Sequence, residues 1–258
     1  MALQDKVAIV TGATGIVGEG IARAFLDAGA TLICPIRRRA AAASLWGSIP
    51  DQLLVRPLAC SAGKEAGLRA ALGSPDTARL DTPVDDYSSA EGSKQLARYV
   101  QVKHRAVDHV VACTGGMVPM GALTTVTAAG FSQAMHDRVL GQILLAQALV
   151  PLLRDEAGSS YTVITGRLGE MCSMPEGALF AVSNAAVYGA VLALQAELRS
   201  RPQRINELRI GAVVRRDSEE ENPHFPGVKA HPASLVGAEA LKIAAGSHSD
   251  EVVRLYLD

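Results

Sequence analysis

Apolar and polar positions follow two different rhythms along this chain. Short runs of consecutive apolar residues predict buried strands, and longer segments in which apolar residues recur every three or four positions predict helices. The predicted strands are 6–12, 30–36, 108–115, 161–166, 208–214 and 251–257, and the predicted helices are 18–28, 131–154, 178–200 and 234–245. Strands that are apolar on both faces and separated by helices predict an α/β fold with a parallel sheet covered on both sides.

Two stretches depart from this alternation. Between residues 40 and 85, 52–60 could form a strand and 64–72 a short helix, and 73–86 has the composition of a surface loop. The acidic run 217–222 is either a solvated loop or a mobile cover over a pocket at the carboxyl ends of the strands. Because neither a linker nor an internal repeat interrupts the pattern, we expect residues 1–258 to form a single domain.

Composition narrows the range of functions. The formal net charge is −1 and charged residues make up 20% of the 258 residues, so neither nucleic acid nor a membrane surface is expected as a partner. The chain runs from Met1 directly into a predicted strand, so a cytoplasmic location is expected, or an organelle if a transit peptide was removed. The four cysteines are far apart and the six histidines lack ligand spacing, which predicts free thiols and no metal site.

A glycine-rich turn between the first strand and helix carries the strongest chemical signal. Gly12 permits the tight exit from the strand, Gly15 lets the backbone approach a pyrophosphate, and Gly18 lets the helix pack closely. Thr14 and Ile16 lie in the same turn, at the helix N-terminus that would face the phosphates. This pattern within one strand–helix–strand unit predicts dinucleotide binding.

The end of the second strand indicates which dinucleotide is bound. Ile36 occupies the position where an acidic side chain would bind a free ribose 2′-hydroxyl, and Arg37 and Arg38 follow it. Guanidinium groups at this position suit a 2′-phosphate. The sequence therefore favours NADP(H) over NAD(H).

Four segments together resemble the short-chain dehydrogenase/reductase family: "TGATGIVG", "VVACTGG", "YTVITG" and "FAVSNAAVYGAVLALQAEL". The resemblance spans nearly the whole chain and implies a Rossmann-type, doubly wound, seven-stranded parallel sheet. It also implies a nicotinamide cofactor and a homodimer or homotetramer formed through helices 131–154 and 178–200. The glycine spacing departs from the TGxxxGxG of single-domain members and is similar to that of the extended members.

The resemblance also implies further cofactor contacts. Counting back from the fourth strand places Asp86, followed by Tyr87, where the family has its adenine-contacting Asp, and leaves roughly residues 50–75 as an insertion. If 52–60 is instead the third strand, Cys60 and Ser61 take that role. The remaining positions implied to contact the cofactor are Cys113, Thr114, Gly115 and Asn184.

The catalytic positions implied by the resemblance hold unexpected residues. The family uses Asn, Ser, Tyr and Lys, in which Tyr is the general acid and Lys lowers its pKa from about 10. The corresponding positions here hold Arg138, Gly166, Phe180 and Asn184. A phenyl ring has no proton to donate and a carboxamide carries no charge, so ordinary carbonyl reduction is not expected.

Other side chains are expected to surround a small-molecule ligand beside the cofactor. The predicted pocket residues are Thr165, Arg167, Met171 and Phe180, and no catalytic residue is assigned. Arg167 could polarise an oxygen and Glu170 could take a proton, whereas Tyr188 lies two helical turns beyond Phe180, roughly 12 Å away. Three hypotheses remain open: a nucleotide-binding pseudoenzyme, a divergent NADP-dependent oxidoreductase whose acid comes from another residue or from the substrate, and a non-redox lyase or isomerase.

Overall fold

Seven parallel strands form the central sheet of the computed structural model, which describes residues 1–36, 80, 81, 83 and 86–257. The sheet strands are β1 (Val7–Val10), β2 (Thr31–Ile33), β3 (Leu80–Asp81), β4 (His109–Ala112), β5 (Ser160–Gly166), β6 (Arg204–Ile210) and β9 (Val252–Leu255). Two short strands, β7 (Val213–Arg215) and β8 (Ala230–Pro232), pair separately. The described helices are α1 (Ile16–Asp27), α2 (Ala90–His104), α3 (Ala128–Met135), α4 (Gly141–Leu149), α5 (Ala178–Leu198) and α6 (Ala233–Ala245).

The strand order is β3-β2-β1-β4-β5-β6-β9, so the chain reverses direction across the sheet between β1 and β4. Phe25 of α1 and Val236 of α6 are fully buried on one face, and Leu145 of α4 and Val191 of α5 are buried on the other. This arrangement confirms the predicted Rossmann-type fold. Ligands of open parallel sheets bind at the carboxyl ends of the strands where the order reverses.

Two elements near β3 were not predicted correctly. Leu80 and Asp81 pair with β2, although 73–86 is expected to be a surface loop. Helix α2 is absent from the pattern analysis because most of its residues are polar and its buried positions include only two large apolar side chains, Leu96 and Val100. The Ser89 hydroxyl, which accepts a hydrogen bond from the Gly92 N–H at 3.0 Å, marks its start.

Strand β6 begins four residues before the predicted 208 because its first residues are polar and yet buried. The Arg204 guanidinium donates hydrogen bonds to five backbone carbonyls, among them those of Ile243 and Ala244 at the C-terminal end of α6. A side chain that supplies so many donors can be buried in a strand without an apolar pattern. Residues 213 and 214, predicted to continue this strand, belong instead to β7 of the separate β7–β8 pair.

The predicted helix 131–154 is divided into α3 and α4 by a π-helical turn at His136–Leu140. It begins earlier than predicted because the Thr127 hydroxyl accepts a hydrogen bond from the Gly130 N–H at 3.1 Å. It ends earlier because Pro151 lies in a short 3₁₀ turn that follows α4. The π turn carries Arg138.

Helix α5 is the one helix among the described residues that is long and apolar enough to cross a membrane by length and composition. The same property is found in core helices of soluble proteins, and 33% of the apolar window of α5 is buried. With α4, it borders a shallow apolar groove that includes Ile143, Ala146 and Leu194.

Candidate functional site

A cleft of about 720 Å³ opens at the carboxyl ends of the sheet strands. The turn after β1 and the ends of β4, β5 and β6 form its floor, and residues from the segment 222–228 form part of its wall. Of the predicted site residues, the cleft is lined by Gly12, Gly15, Ile16, Gly18, Cys113, Thr114, Arg138, Thr165, Gly166, Arg167, Met171, Phe180 and Asn184. Arg37 and Arg38, together with Cys60, Ser61 and the insertion at 50–75, lie outside the described residues.

The three glycines of the turn have different structural requirements. Gly12 has a φ of 68°, and a β-carbon on it would lie 1.9 Å from the Cys113 carbonyl oxygen. A β-carbon on Gly18 would lie 2.2 Å from the Gly12 carbonyl oxygen, so this glycine lets α1 pack on the turn. A β-carbon on Gly15 would approach only the Gly12 oxygen, at 3.3 Å, so Gly15 instead leaves the outer side of the turn open.

The N-terminal end of α1 and the end of β4 fit a dinucleotide. No side chain caps the first N–H groups of α1, which begins at the N-cap Gly15, and such groups bind phosphate oxygens. The Thr114 hydroxyl oxygen is buried and has no hydrogen-bond partner among the described residues, which is costly unless a ligand meets it. Gly15, Ile16 and Thr114 would therefore help to hold a nicotinamide cofactor, which supplies or accepts a hydride when bound.

Neighbouring predicted residues support the turn from behind. The Tyr87 hydroxyl accepts a hydrogen bond from the Gly12 N–H at 3.2 Å. The Asp86 carboxylate accepts hydrogen bonds from Ser88, and neither Asp86 nor Tyr87 is among the described residues that line the cleft. The adenine contact predicted for Asp86 stays a prediction.

An arginine that follows β7 contacts the turn and the first residues of α1. The Arg216 Nε donates to Glu19 at 2.9 Å, and its Nη2 lies 3.5 Å from the Thr14 carbonyl oxygen. The predicted residue Thr14 is not among the described residues that line the cleft, and its cofactor contact stays a prediction. No role for Arg216 is predicted from the sequence.

The end of β4 is held by a residue that the sequence analysis missed. Gln142 of α4 donates from its amide nitrogen to the carbonyl oxygens of Ala112 and Thr114, at 3.3 and 3.2 Å. Gly115, which follows, has a φ of 146° and lies against Arg138. The Cys113 thiol is inert at neutral pH because burial raises its pKa to about 12.

The four positions that the resemblance assigns to catalysis lie together in the cleft. The Arg138 Nη2 donates to the Asn184 carboxamide oxygen at 3.2 Å, and the guanidinium carbon lies 4.9 Å from the centre of the Phe180 ring. A β-carbon on Gly166 would lie 3.0 Å from the Asn184 Nδ2. The Arg138 guanidinium therefore occupies the centre of this group.

Two further contacts hold Arg138 in place. Its Nε donates to the Ser183 hydroxyl at 2.8 Å and its Nη1 to the Gly116 carbonyl oxygen at 2.6 Å. These partners are 45 and 22 residues away along the chain, so no local sequence signal could reveal them. Burial lowers the pKa of Arg138 below its usual range, but a guanidinium stays protonated at neutral pH.

Tyr188 and Glu170, the other titratable groups considered for proton transfer, are engaged in contacts of their own. Tyr188 donates its hydroxyl hydrogen to the Gly166 carbonyl oxygen, and burial raises its pKa to about 12. Hydrogen bonds from Tyr256, Arg209 and Arg254 lower the pKa of Glu170 to about 2. This carboxylate is ionised and paired at neutral pH, which makes it a weak proton acceptor.

Directly after β5, Arg167 stacks on the Tyr256 ring, with its guanidinium carbon 4.6 Å from the ring centre. The Thr165 hydroxyl donates to the buried carboxylate of Glu207. Met171 is half exposed. At the end of the acidic run 217–222, the Asn222 amide donates a hydrogen bond to the Val214 carbonyl oxygen. No group of three or more potential metal ligands is found in the described part of the chain.

The comparisons with known proteins agree with this architecture. A family model described as enoyl-(acyl carrier protein) reductase matches residues 80–234, more than half of the chain. A short-chain dehydrogenase/reductase, ucsE from Acremonium sp, is 27% identical over 216 residues, covering 82% of this chain and 74% of its own. L-fucose dehydrogenase from Oryctolagus cuniculus is 28% identical over 191 residues, covering 73% of this chain and 55% of its own.

Solved structures show the same fold. A short-chain dehydrogenase from Burkholderia cenocepacia J2315 in complex with NADP superposes with a TM-score of 0.77 at 18% identity, covering 99% of this chain and 98% of that one. Enoyl-[acyl-carrier-protein] reductase (NADH) from Aquifex aeolicus VF5 gives a TM-score of 0.72 at 20% identity, covering 98% and 96%. With the family match and the parallel sheet, these findings establish that the chain belongs to the short-chain dehydrogenase/reductase family of oxidoreductases.

Proposed function

We propose that this chain binds NADP(H) and a small-molecule ligand in the family cleft without the proton transfer that Tyr and Lys perform in this family. The observation that carries the proposal is the Arg138 guanidinium, which is bonded to Ser183 and Asn184 and faces the Phe180 ring. The chain would then act as a nucleotide-dependent binding protein, a pseudoenzyme on a reductase fold.

The proton chemistry of the cleft supports this reading. The Phe180 ring has no acidic proton to donate, and the Asn184 carboxamide carries no charge that could lower the pKa of a neighbouring group. The Arg138 guanidinium does not release its proton near neutral pH. Tyr188 and Glu170 have pKa values of about 12 and about 2, so neither is poised to exchange protons. General acid–base help is worth roughly 10²–10⁴ in rate, so its loss would remove ordinary carbonyl reduction.

The proposal also includes a preference for NADP(H) over NAD(H) and the formation of a homo-oligomer. The preference rests on Arg37 and Arg38, and changing both to alanine should weaken NADPH binding and leave NADH binding unchanged. A homodimer or homotetramer formed through α4 and α5 would bury the apolar groove between them, and with it Leu192 of α5, which lies outside the groove lining and is 62% exposed.

A second candidate function is reduction of an activated C=C bond. The Arg138 N–H groups could stabilise negative charge that develops on an oxygen conjugated to that bond, and solvent could then supply the proton. The match to the enoyl-(acyl carrier protein) reductase family model favours this candidate over the lyase or isomerase hypothesis.

The deciding experiment is a fluorescence titration with NADPH and NADH, followed by NADPH-consumption assays on carbonyl and enone substrates. We expect NADPH to bind and no carbonyl substrate to be turned over. Robust consumption of NADPH with a carbonyl would contradict the proposal, whereas turnover of enones alone would favour the second candidate. Arg199→Met, which removes an exposed arginine, is the control for the loss of Arg37 and Arg38 in these titrations.

A further inference from the structure

We propose that the ligand bound beside the cofactor position is an organic carboxylate with an apolar body, and that Arg138 is its counter-ion. This inference deepens the proposed function and shares its site, but it concerns the ligand rather than the nucleotide. Three observations support it: the charges along the cleft, the unused hydrogen-bond donors, and the apolar wall.

The charge of the cleft is one-sided. Among the described residues that line it, Arg138 and Arg167 are cationic, and neither Asp nor Glu is present. Arg216, which is also partly buried, pairs with the Glu19 carboxylate at 2.9 Å. Neither cleft guanidinium has a carboxylate partner among the described residues, and an anion that pairs with a partly buried charge offsets the cost of its desolvation, which favours an anionic ligand.

The Arg138 guanidinium retains donors for that anion. Of its five N–H groups, three donate to Ser183, Gly116 and Asn184, all of which are neutral acceptors. One N–H on each terminal nitrogen is left without an acceptor among residues 1–36, 80, 81, 83 and 86–257. Two N–H groups of a planar fork match the two oxygens of a carboxylate.

Arg167 supplies the second positive charge. Its described contact is the face of the Tyr256 ring, which leaves its N–H groups without an acceptor in the described part of the chain. A β-carbon on Gly211 would lie 3.1 Å from the Arg167 Cδ, so this glycine lets the side chain lie against the end of β6. Stacking of this kind orients a guanidinium while its edge stays available for a ligand.

The remaining wall sets the character of the ligand body. Met117, Met171, Met174, Phe180, Phe225 and Val228 line the cleft. Methionine side chains adapt to irregular apolar shapes, and apolar pockets with a few polar anchors bind ligands that combine both properties. A hydrophobic monocarboxylate fits this wall better than a sugar or an inorganic anion.

The test compares acids with their own neutral esters. Benzoate, cinnamate and phenylpyruvate and the three methyl esters are titrated by isothermal calorimetry into the wild-type chain, with and without NADPH. We expect at least one acid to bind about tenfold or more tightly than its ester, the value of a charge-assisted hydrogen bond. Arg138→Met should abolish that preference, Arg138→Lys should keep part of it, and the surface variant Arg199→Met should keep all of it.

The outcomes separate this inference from the proposed function. A chain that prefers the acid but does not bind NADPH supports the carboxylate site and contradicts the nucleotide proposal. Equal affinity for acid and ester, an unchanged preference in Arg138→Met, or no binding of any acid at concentrations on the order of 10 mM overturns the inference. Circular dichroism of each variant checks the fold. If Arg138→Met does not fold, the preference for acid over ester is compared between the wild type, Arg138→Lys and Arg167→Met instead.

Discussion

Gly15→Ala is expected to weaken nucleotide binding while the chain stays folded. The added β-carbon would lie 3.3 Å from the Gly12 carbonyl oxygen, and no other contact within 4 Å is found, so the turn needs to move by only a few tenths of an ångström. Replacing glycine by alanine at a helix N-cap costs on the order of 1 kcal/mol, or roughly 2–4 °C in Tm for a domain of this size. The methyl group would stand where phosphates approach the N–H groups of α1, so the Kd for NADPH should rise about tenfold or more.

Gly18→Ala provides the structural contrast. Its β-carbon would lie 2.2 Å from the Gly12 carbonyl oxygen, far inside an ordinary contact of about 3.5 Å. Gly12 cannot move away, because it is itself packed against the Cys113 carbonyl. This variant should therefore lose more stability than Gly15→Ala, by about 1–3 kcal/mol of overpacking or more.

Thermal unfolding followed by circular dichroism and an NADPH fluorescence titration distinguish the two effects. Gly158→Ala is the matched control, because a β-carbon at this position meets no atom within 4 Å. If Gly15→Ala binds NADPH with the wild-type Kd, the reasoning that places phosphates at this turn is refuted. If Gly18→Ala unfolds at the wild-type temperature, the packing argument is wrong.

Three further outcomes are expected. Burial lowers the pKa of His109 from 6.5 to about 4, so below pH 6.5 the unfolded chain takes up a proton that the folded chain does not. The free energy of unfolding should therefore fall by up to about 3 kcal/mol between pH 6.5 and 4. In urea titrations, the free energy of unfolding of His109→Gln should depend less steeply on pH than that of the wild type, and an equal dependence would contradict the argument. Arg204→Met leaves five carbonyls without their donor and should cost about 3 kcal/mol or more in urea denaturation, and Arg204→Lys should recover only part of it. Leu192→Glu should convert the proposed oligomer to a monomer in light scattering, whereas the control Leu235→Glu on α6 should not; a monomeric wild-type chain would contradict the proposed assembly.

The sequence predicts the sheet well because most of its strands are covered on both faces. Val110 and Val111 face opposite sides of β4 and both are buried, so the apolar run is continuous and easily recognised. The first half of strand β6 lacks that signal because it contains the polar residues Arg204 and Glu207. Arg204 is buried by donating to distant carbonyl oxygens, and Glu207 by accepting from Thr165 of β5. Helix α2 lacks it because most of its surface meets solvent.

The site divides in a similar way. The glycine turn is predictable because backbone geometry requires glycine at positions fixed by the turn itself. The role of Arg138 is not, because it depends on a π turn and on acceptors from two other elements. A π turn needs one extra residue whose position is decided by tertiary contacts, so helical periodicity cannot reveal it.

The contact between Gly166 and Asn184 affects the order in which substitutions at positions 138, 166, 180 and 184 can accumulate. A serine introduced first at 166 would bring its β-carbon within 3.0 Å of the Asn184 Nδ2, and that carboxamide is also held by Arg138. The Asn184 carboxamide would have to move by a few tenths of an ångström while its oxygen stays bonded to Arg138, so a replacement at 166 is expected to be coupled energetically to replacements at 184 and 138. A change of the residue at 184 or 138 would release this contact, so a substitution at 166 is expected to be tolerated better after such a change than before it.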